Sequence, residues 1–127
     1  LPGSVQAGVA YYIDEQLSRD PNDSLLAARF FHVTPPYADF YKSGVKALDD
    51  YARASYGMDF HQLDGKGQDQ LVGSLFPEQP EKWQGPPAPV VYLCLRNDVV
   101  DAMYGTMEGF AKLGIPYLAH IEPPTKW

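Results

Sequence analysis

The sequence predicts a mostly α-helical protein, a small irregular bundle of about five helices with long proline-rich loops and an extended C-terminal arm. Apolar residues recur at spacings of three and four in several segments. Ten of the twelve prolines cluster at 35–36, 77–89 and 116–124, where helices must stop. No stretch of strand length alternates apolar and polar residues, which favours helices over sheets.

Length and charge limit the possible functions. The 127 residues predict one domain over 1–127, with a helical body over about 4–103 and the arm over about 104–127. The net charge of −6 and the lack of a basic stripe argue against nucleic acid or an anionic membrane surface as partner. The longest apolar run, 89–95, is far shorter than the roughly 20 residues that a membrane span needs.

The N-terminal segment is predicted to be an amphipathic helix capped by Ser4, which ends at residues 20–23. Its apolar positions recur every four residues, at Val5, Val9, Ile13 and Leu17. The next stretch, 24–33, is compatible with a short helix or with an irregular apolar segment, and Pro35 and Pro36 bound it in either case.

Two further helices follow in the middle of the chain. The first is closed by Gly57 in a left-handed conformation, and its apolar stripe comprises Tyr41, Val45, Leu48 and Ala52, flanked by Tyr51 and Ser55. The second is capped by Asp64 and stopped by Pro77, and it carries Leu71, Val72, Leu75 and Phe76.

Residues 78–89 are rich in proline, glutamine and glycine, which indicates an extended loop, and Trp83 is its one apolar anchor. A fifth helix is predicted over 89–103, since Val91, Leu95, Val99 and Ala102 share a face. The apolar run at 90–95 also suits a buried strand, but the apolar spacing continues beyond it and favours the helix. Cys94 is predicted to be buried, with a bond to another subunit as the alternative.

No residue pattern predicts catalysis by this chain alone. His32, His61 and His120 fall in separate segments, so their spacing predicts no metal site. Asp98 and Asp101 share a helical face, but a solvated acidic face near Arg96 is the favoured interpretation over acid–base chemistry. The chain also lacks phosphate-binding and nucleophile motifs.

Large rings outside the helical stripes exceed what a small bundle needs for its core. They are Phe30, Phe31, Tyr37, Trp83, Tyr104, Phe110, Tyr117 and Trp127. Exposed rings beside prolines are typical of an interface in which a few side chains anchor a partner. Folding of the tail back over its own helices is the alternative.

Three segments resemble the gluconate 2-dehydrogenase subunit 3 family. AGVAYYIDEQL, at 7–17, resembles its AGV-x-x-[YF]-ID-x-x-L helix. Residues 40–72 are similar to its YR-x-GL-x-ALD helix, which is followed by G-x-x-F-x-x-L and a Gln-Asp helix. YGTMEGFAKLGIPY, at 104–117, is similar to its YG…GW-x-x-LG-x-P ending, with Phe110 at the usual Trp and a shorter spacing that indicates a divergent branch.

The resemblance implies a non-catalytic small subunit without a cofactor, bound to a large FAD-containing subunit of the glucose-methanol-choline type. Such complexes oxidise sugars, glycosides or sugar acids in the periplasm, with a cytochrome c as a further candidate partner. The resemblance also implies a role in export of the large subunit and a twin-arginine leader, which is expected to precede Leu1 and either to have been removed or to lie outside this sequence.

With that resemblance, the arm is predicted to dock on the large subunit. The predicted interface residues are Trp83, Tyr104, Phe110, Tyr117, His120, Ile121 and Trp127. No catalytic, cofactor-binding or metal-binding residue is predicted. Two rivals remain: a free-standing helical binding module that uses the same arm, and an enzyme that uses His61 or His120 with acidic residues.

Overall fold

The computed structural model describes residues 3–114, 116, 124–125 and 127, and this part of the chain is helical without strands. It confirms the mostly α fold predicted from the sequence. Its elements are α1 (Val9–Leu17), α2 (Ala27–Phe30), α3 (Tyr37–Tyr56), a 3-10 turn (Phe60–Gln62), α4 (Gly65–Gly73), α5 (Ala88–Tyr104) and α6 (Met107–Leu113).

Helix α5 is the centre of the bundle and packs against α1, α2, α3 and α6. The helix predicted over 89–103 is therefore confirmed, and the strand alternative for its apolar run is wrong. Pro89 lies in the first turn, where backbone N–H groups have no helical acceptor, so its missing N–H costs the helix no hydrogen bond. Cys94 is fully buried on this helix, as predicted.

The buried apolar residues form two cores. The first core joins α1, α2, α3 and α5 and comprises Val9, Tyr12, Leu26, Ala27, Ala28, Tyr37, Tyr41, Cys94 and Ala102. The second core lies among α3, α4, α5 and the 78–89 loop and comprises Ala47, Tyr51, Ala52, Leu71, Leu75, Trp83, Ala88 and Val91. Every helix from α1 to α5 buries at least one side chain in one of the two.

Helix α1 begins later than the sequence predicts. Residues 4–8 form turns, and Val5, expected on the buried stripe, is 89% exposed. Gly8 interrupts the pattern with φ at +75°, a left-handed conformation that glycine adopts readily. The cap assigned to Ser4 is therefore wrong, and the helix starts at Val9.

Helix α3 confirms the most regular helix of the sequence, including Gly57 at its end with φ at +76°. Its buried face is rotated from the predicted stripe, because Val45 is 52% exposed whereas Gly44 and Ala47 are buried. A Cβ atom at Gly44 would lie 3.3 Å from Val91 Cγ1. The small residue thus lets α5 approach the backbone of α3, and this contact selects the buried face.

Helix α4 confirms the predicted cap, since the Asp64 side chain accepts a 2.7 Å hydrogen bond from Gly67 N. The helix ends at Gly73, before Pro77. Phe76 lies in the segment after the helix, and its side chain is exposed. Beyond it, the predicted loop is held by Trp83, whose indole Nε1 donates a 2.7 Å hydrogen bond to Pro86 O.

The predicted arm contains a helix that the sequence analysis did not anticipate. Thr106 caps α6 by accepting a hydrogen bond from Gly109 N, and Gly114 ends it with φ at +66°. A Cβ atom at Gly109 would lie 2.4 Å from Met103 O. The glycine that discouraged a helical prediction is therefore what allows α6 to fold against the end of α5.

Candidate partner interface

Helix α2 presents its large side chains to the outside. Its two alanines, Ala27 and Ala28, are buried, whereas Phe30 is 63% exposed and the adjacent Leu25 and Phe31 are also exposed. A four-residue helix cannot be stable alone, so tertiary contacts must hold this arrangement. We call Leu25, Phe30 and Phe31 the ring platform.

The backbone below the ring platform is held by side chains from α1, from α5 and from the loop before α2. Three successive amides, those of residues 25, 26 and 27, each donate to a side-chain oxygen. Leu25 N donates to Gln16 Oε1 at 2.8 Å, and Leu26 N donates to Ser24 Oγ at 3.2 Å. These amides would otherwise lack helical partners, because they precede or begin α2.

Asp98 makes the third of these contacts and is 0% exposed on α5. Its Oδ1 accepts a 2.8 Å hydrogen bond from Ala27 N, and its Oδ2 accepts a hydrogen bond from the Tyr41 hydroxyl. One buried carboxylate thereby links α2, α3 and α5. The prediction of a solvated acidic face is wrong for Asp98.

Burial has a clear electrostatic effect around this carboxylate. Desolvation raises the pKa of Asp98, while the hydrogen bonds from Ala27 and Tyr41 oppose the rise. Desolvation likewise raises the pKa of Tyr41, and burial beside Asp98 raises the pKa of Cys94 to about 12. The Cys94 thiol is therefore a buried apolar group rather than a nucleophile.

A pocket lies beside the ring platform, between it and the last residue of the chain. Trp127 packs edge-on against Tyr12, with ring centres 4.9 Å apart and an interplanar angle of 62°. The pocket has a volume of about 410 Å³. We call it the ring pocket; its walls are Tyr12, Leu25, Phe30, Asp101, Gly105, Pro124 and Trp127.

The end of the chain returns to the helical body at two points. Met107 N donates a 3.1 Å hydrogen bond to Pro124 O, and Trp127 packs beside the first core. A Cβ atom at Gly8 would lie 3.3 Å from Trp127 O, so the left-handed turn at Gly8 also makes room for this contact. At these residues the tail folds over its own helices.

A second depression, of about 710 Å³, lies between α1 and α3. Ile13, Leu17 and Val45 contribute apolar surface to it. Its edge carries both signs of charge, from Lys42, Lys46, Arg53, Asp14, Asp49 and Asp50. Because these charges cancel, the groove offers apolar area without an electrostatic preference for a partner.

The predicted interface residues do not lie on one surface. Trp83 is 3% exposed, in the second core, so its assignment to a partner is corrected: it anchors its own loop. Tyr104 and Phe110 are half-buried where α5 and α6 meet, and Trp127 is half-buried at the ring pocket. The remaining three, Tyr117, His120 and Ile121, lie outside the described residues.

Sequence reasoning missed two parts of this surface. It counted Phe30 and Phe31 among the surplus rings but did not assign them to the interface. It also placed Asp98 in solvent, although Asp98 follows Cys94 by four residues on the buried side of α5. An acid within an apolar stripe is the signal that indicates a buried hydrogen-bonding role.

The described residues contain neither a group of metal-ligating side chains nor a membrane-spanning helix. Among them, no three His, Cys, Asp or Glu side chains are grouped to hold a metal ion. None of the helices in this part of the chain has the length and hydrophobicity needed to cross a bilayer. His61 lies exposed on the 3-10 turn.

The described residues form a small helical fold that exposes large apolar side chains beside one pocket. The chain belongs to the gluconate 2-dehydrogenase subunit 3 family, whose model matches residues 1–120. This match confirms the family that the three sequence segments resemble, and it makes the chain a small subunit of a dehydrogenase complex. Comparisons with curated proteins and with solved structures find no match.

Proposed function

We propose that this chain is the non-catalytic small subunit of a periplasmic, FAD-dependent dehydrogenase complex of the glucose-methanol-choline type. The large subunit holds FAD and oxidises a sugar, glycoside or sugar acid, and a cytochrome c accepts the electrons. The small subunit stabilises the large one and assists its export. Membership of the gluconate 2-dehydrogenase subunit 3 family supports this proposal.

The observation that carries the docking role is the exposed Phe30 on a backbone fixed by buried hydrogen bonds. Exposure of a large ring to water is unfavourable, and an isolated chain gains nothing from it. A partner that covers the ring recovers this free energy. Because Gln16, Ser24 and Asp98 already order the backbone, binding requires little further loss of conformational entropy.

The arm at 104–127 extends this surface in the proposal. Trp127 is already seated on Tyr12, so it borders the ring platform rather than projecting from it. We retain Tyr104, Phe110, Tyr117, His120, Ile121 and Trp127 as proposed contacts of the large subunit, and we exclude Trp83. Removal of residues 117–127 is expected to release the large subunit.

The direct test is purification of the tagged chain from its native cells, with the companions identified by mass and by flavin absorbance. A flavoprotein at stoichiometric amount is the expected companion. Phe30→Ala should greatly reduce its recovery, whereas Phe76→Ala, at an exposed phenylalanine beside the second core, should not. Recovery of no flavoprotein with the wild-type chain would refute the proposal.

A free-standing binding module is the second candidate, and the return of Pro124 and Trp127 to the body favours it. A module of this kind would remain a monomer when the flavoprotein is added. Measurement of the mass of the expressed chain in solution, alone and mixed with the flavoprotein, separates the two candidates. A stoichiometric complex with the flavoprotein supports the subunit, and a chain that stays monomeric in the mixture supports the module.

A further inference from the structure

We propose that the ring pocket receives a basic side chain, a guanidinium or an ammonium group, from the large subunit and that Asp101 is its counter-ion. This inference rests on the proposed function, because it names the chemistry that the partner presents at the same surface. It concerns the space between Tyr12, Phe30 and Trp127.

The walls of the pocket suit a cation. The faces of aromatic rings carry partial negative charge, and a cation within about 6 Å of a ring centre is attracted to it. Three aromatic residues and one acidic residue, Asp101, line the same space of about 410 Å³. The neighbouring Arg29 already uses this chemistry, since its guanidinium carbon lies 5.3 Å from the centre of the Phe30 ring.

Asp101 supplies the charge for such a ligand. Within the described part of the chain, no cation or hydrogen-bond donor contacts its carboxylate. The Nη1 atom of Arg29 is not available to Asp101, because it donates a 3.1 Å hydrogen bond to Ser24 O. Partial desolvation raises the pKa of Asp101, and an opposite charge in the pocket would stabilise its ionised form.

The alternative occupant is an apolar side chain, and the position of Asp101 disfavours it. An apolar group in the pocket would remove water from the carboxylate without replacing its hydrogen bonds, which is costly. A basic side chain removes the same water and provides both charge and donors. The overall charge of −6 further favours a positively charged partner segment.

The first test measures the affinity of the complex with Asp101→Asn, which keeps the shape and removes the charge. We expect Kd to rise roughly tenfold or more, as for loss of a charge-assisted hydrogen bond. Asp69→Asn, at an exposed acid on α4, makes the same chemical change elsewhere and should leave Kd unchanged. Added salt should weaken the wild-type complex more than the Asp101→Asn complex.

Equal affinities of the two variants overturn the inference but leave the proposed function intact. If the wild-type chain binds no flavoprotein, the proposed function fails instead. The two failures are therefore distinguishable.

The second test needs no partner. The free chain is titrated with N-acetyl-arginine methyl ester while the indole N–H resonance of Trp127 is followed, with Trp127→Phe used for assignment. A saturable shift in the millimolar range is expected, and the neutral citrulline ester should not reproduce it. Equal shifts from both esters would contradict a site that selects a positive charge.

Discussion

The two cores contain similar apolar residues but have different roles in the molecule. The second core is closed: Trp83 lies edge-on to Tyr51 with ring centres 6.0 Å apart, and its indole N–H is paired with Pro86 O. The first core contains the buried side chains of Gln16, Ser24 and Asp98, and exposed rings lie directly above them. The difference indicates that the second core stabilises the fold, whereas the buried hydrogen bonds of the first core orient an exposed surface.

The polar groups of the first half are also less completely satisfied. Two buried nitrogens, Gln16 Nε2 and Trp127 Nε1, have no acceptor among the described residues. Unpaired buried donors reduce stability, so this half does not have the arrangement expected if stability alone determined it. This loss of stability is consistent with a surface that a partner covers in the complex.

The largest expected effect of a substitution is on the second core. Trp83→Ala should reduce the free energy of unfolding by about 3–5 kcal/mol, because it leaves a cavity and frees the 78–89 loop. Chemical denaturation with circular dichroism detection measures it. Tyr104→Ala, at a half-buried ring of the arm, should cost clearly less. Equal losses of unfolding free energy in the Trp83→Ala and Tyr104→Ala variants would contradict the distinction between the closed core and the arm.

Asp98→Ala should have the next largest effect, about 2–4 kcal/mol, because it leaves Ala27 N and the Tyr41 hydroxyl without acceptors. Asp98→Asn keeps an acceptor for Ala27 N and should cost much less. In Asp98→Ala, the amide of Ala27 should exchange with solvent faster than amides in α4. Unchanged exchange at Ala27 would mean that the carboxylate does not hold the ring platform.

Phe30→Ala should change binding rather than folding. Because Phe30 is mainly exposed, its loss should alter the free energy of unfolding by less than about 0.5 kcal/mol. Loss of an interface anchor should weaken the complex by roughly 2 kcal/mol. Titration calorimetry with the purified large subunit gives the second value. If Phe30→Ala changed the free energy of unfolding more than the free energy of binding, Phe30 would belong to the core rather than to the surface.

The smallest expected effect is a pH dependence that arises from Asp98. Its folded-state pKa is raised above the ordinary value, so its contribution to stability is fully present at pH below that ordinary value. The contribution falls as pH rises through the raised folded-state pKa. Asp98→Asn does not titrate, so the wild type should lose stability relative to this variant over that window. A relative gain with rising pH would reverse the assigned sign.

Much of the helical order could be predicted because it depends on local signals. Asp64 caps α4, Gly57 ends α3, and the apolar spacing of α5 appears in the sequence without reference to the rest of the chain. The failures depend on distant contacts. Gly109 discourages a helix locally, but it permits α6 because α5 lies against it.

The surface was harder to predict for the same reason. Nothing near Trp83 in the sequence shows that Tyr51, 32 residues earlier, closes over it. Likewise, the link from Asp98 to Ala27 spans 71 residues, so the orientation of Phe30 depends on a contact that no local pattern reveals. Composition predicted exposed rings, and Phe30 and Phe31 are exposed, but Tyr37 and Trp83 of the same set are buried.

The most direct test of the central claim is hydroxyl-radical footprinting of the chain alone and in its complex with the large subunit. The account predicts that oxidation of Phe30 and Phe31 slows at least severalfold in the complex, whereas oxidation of Phe76 keeps its rate. Protection of Phe76 with continued oxidation of Phe30 and Phe31 would contradict it, because the partner would then lie on the other half of the molecule.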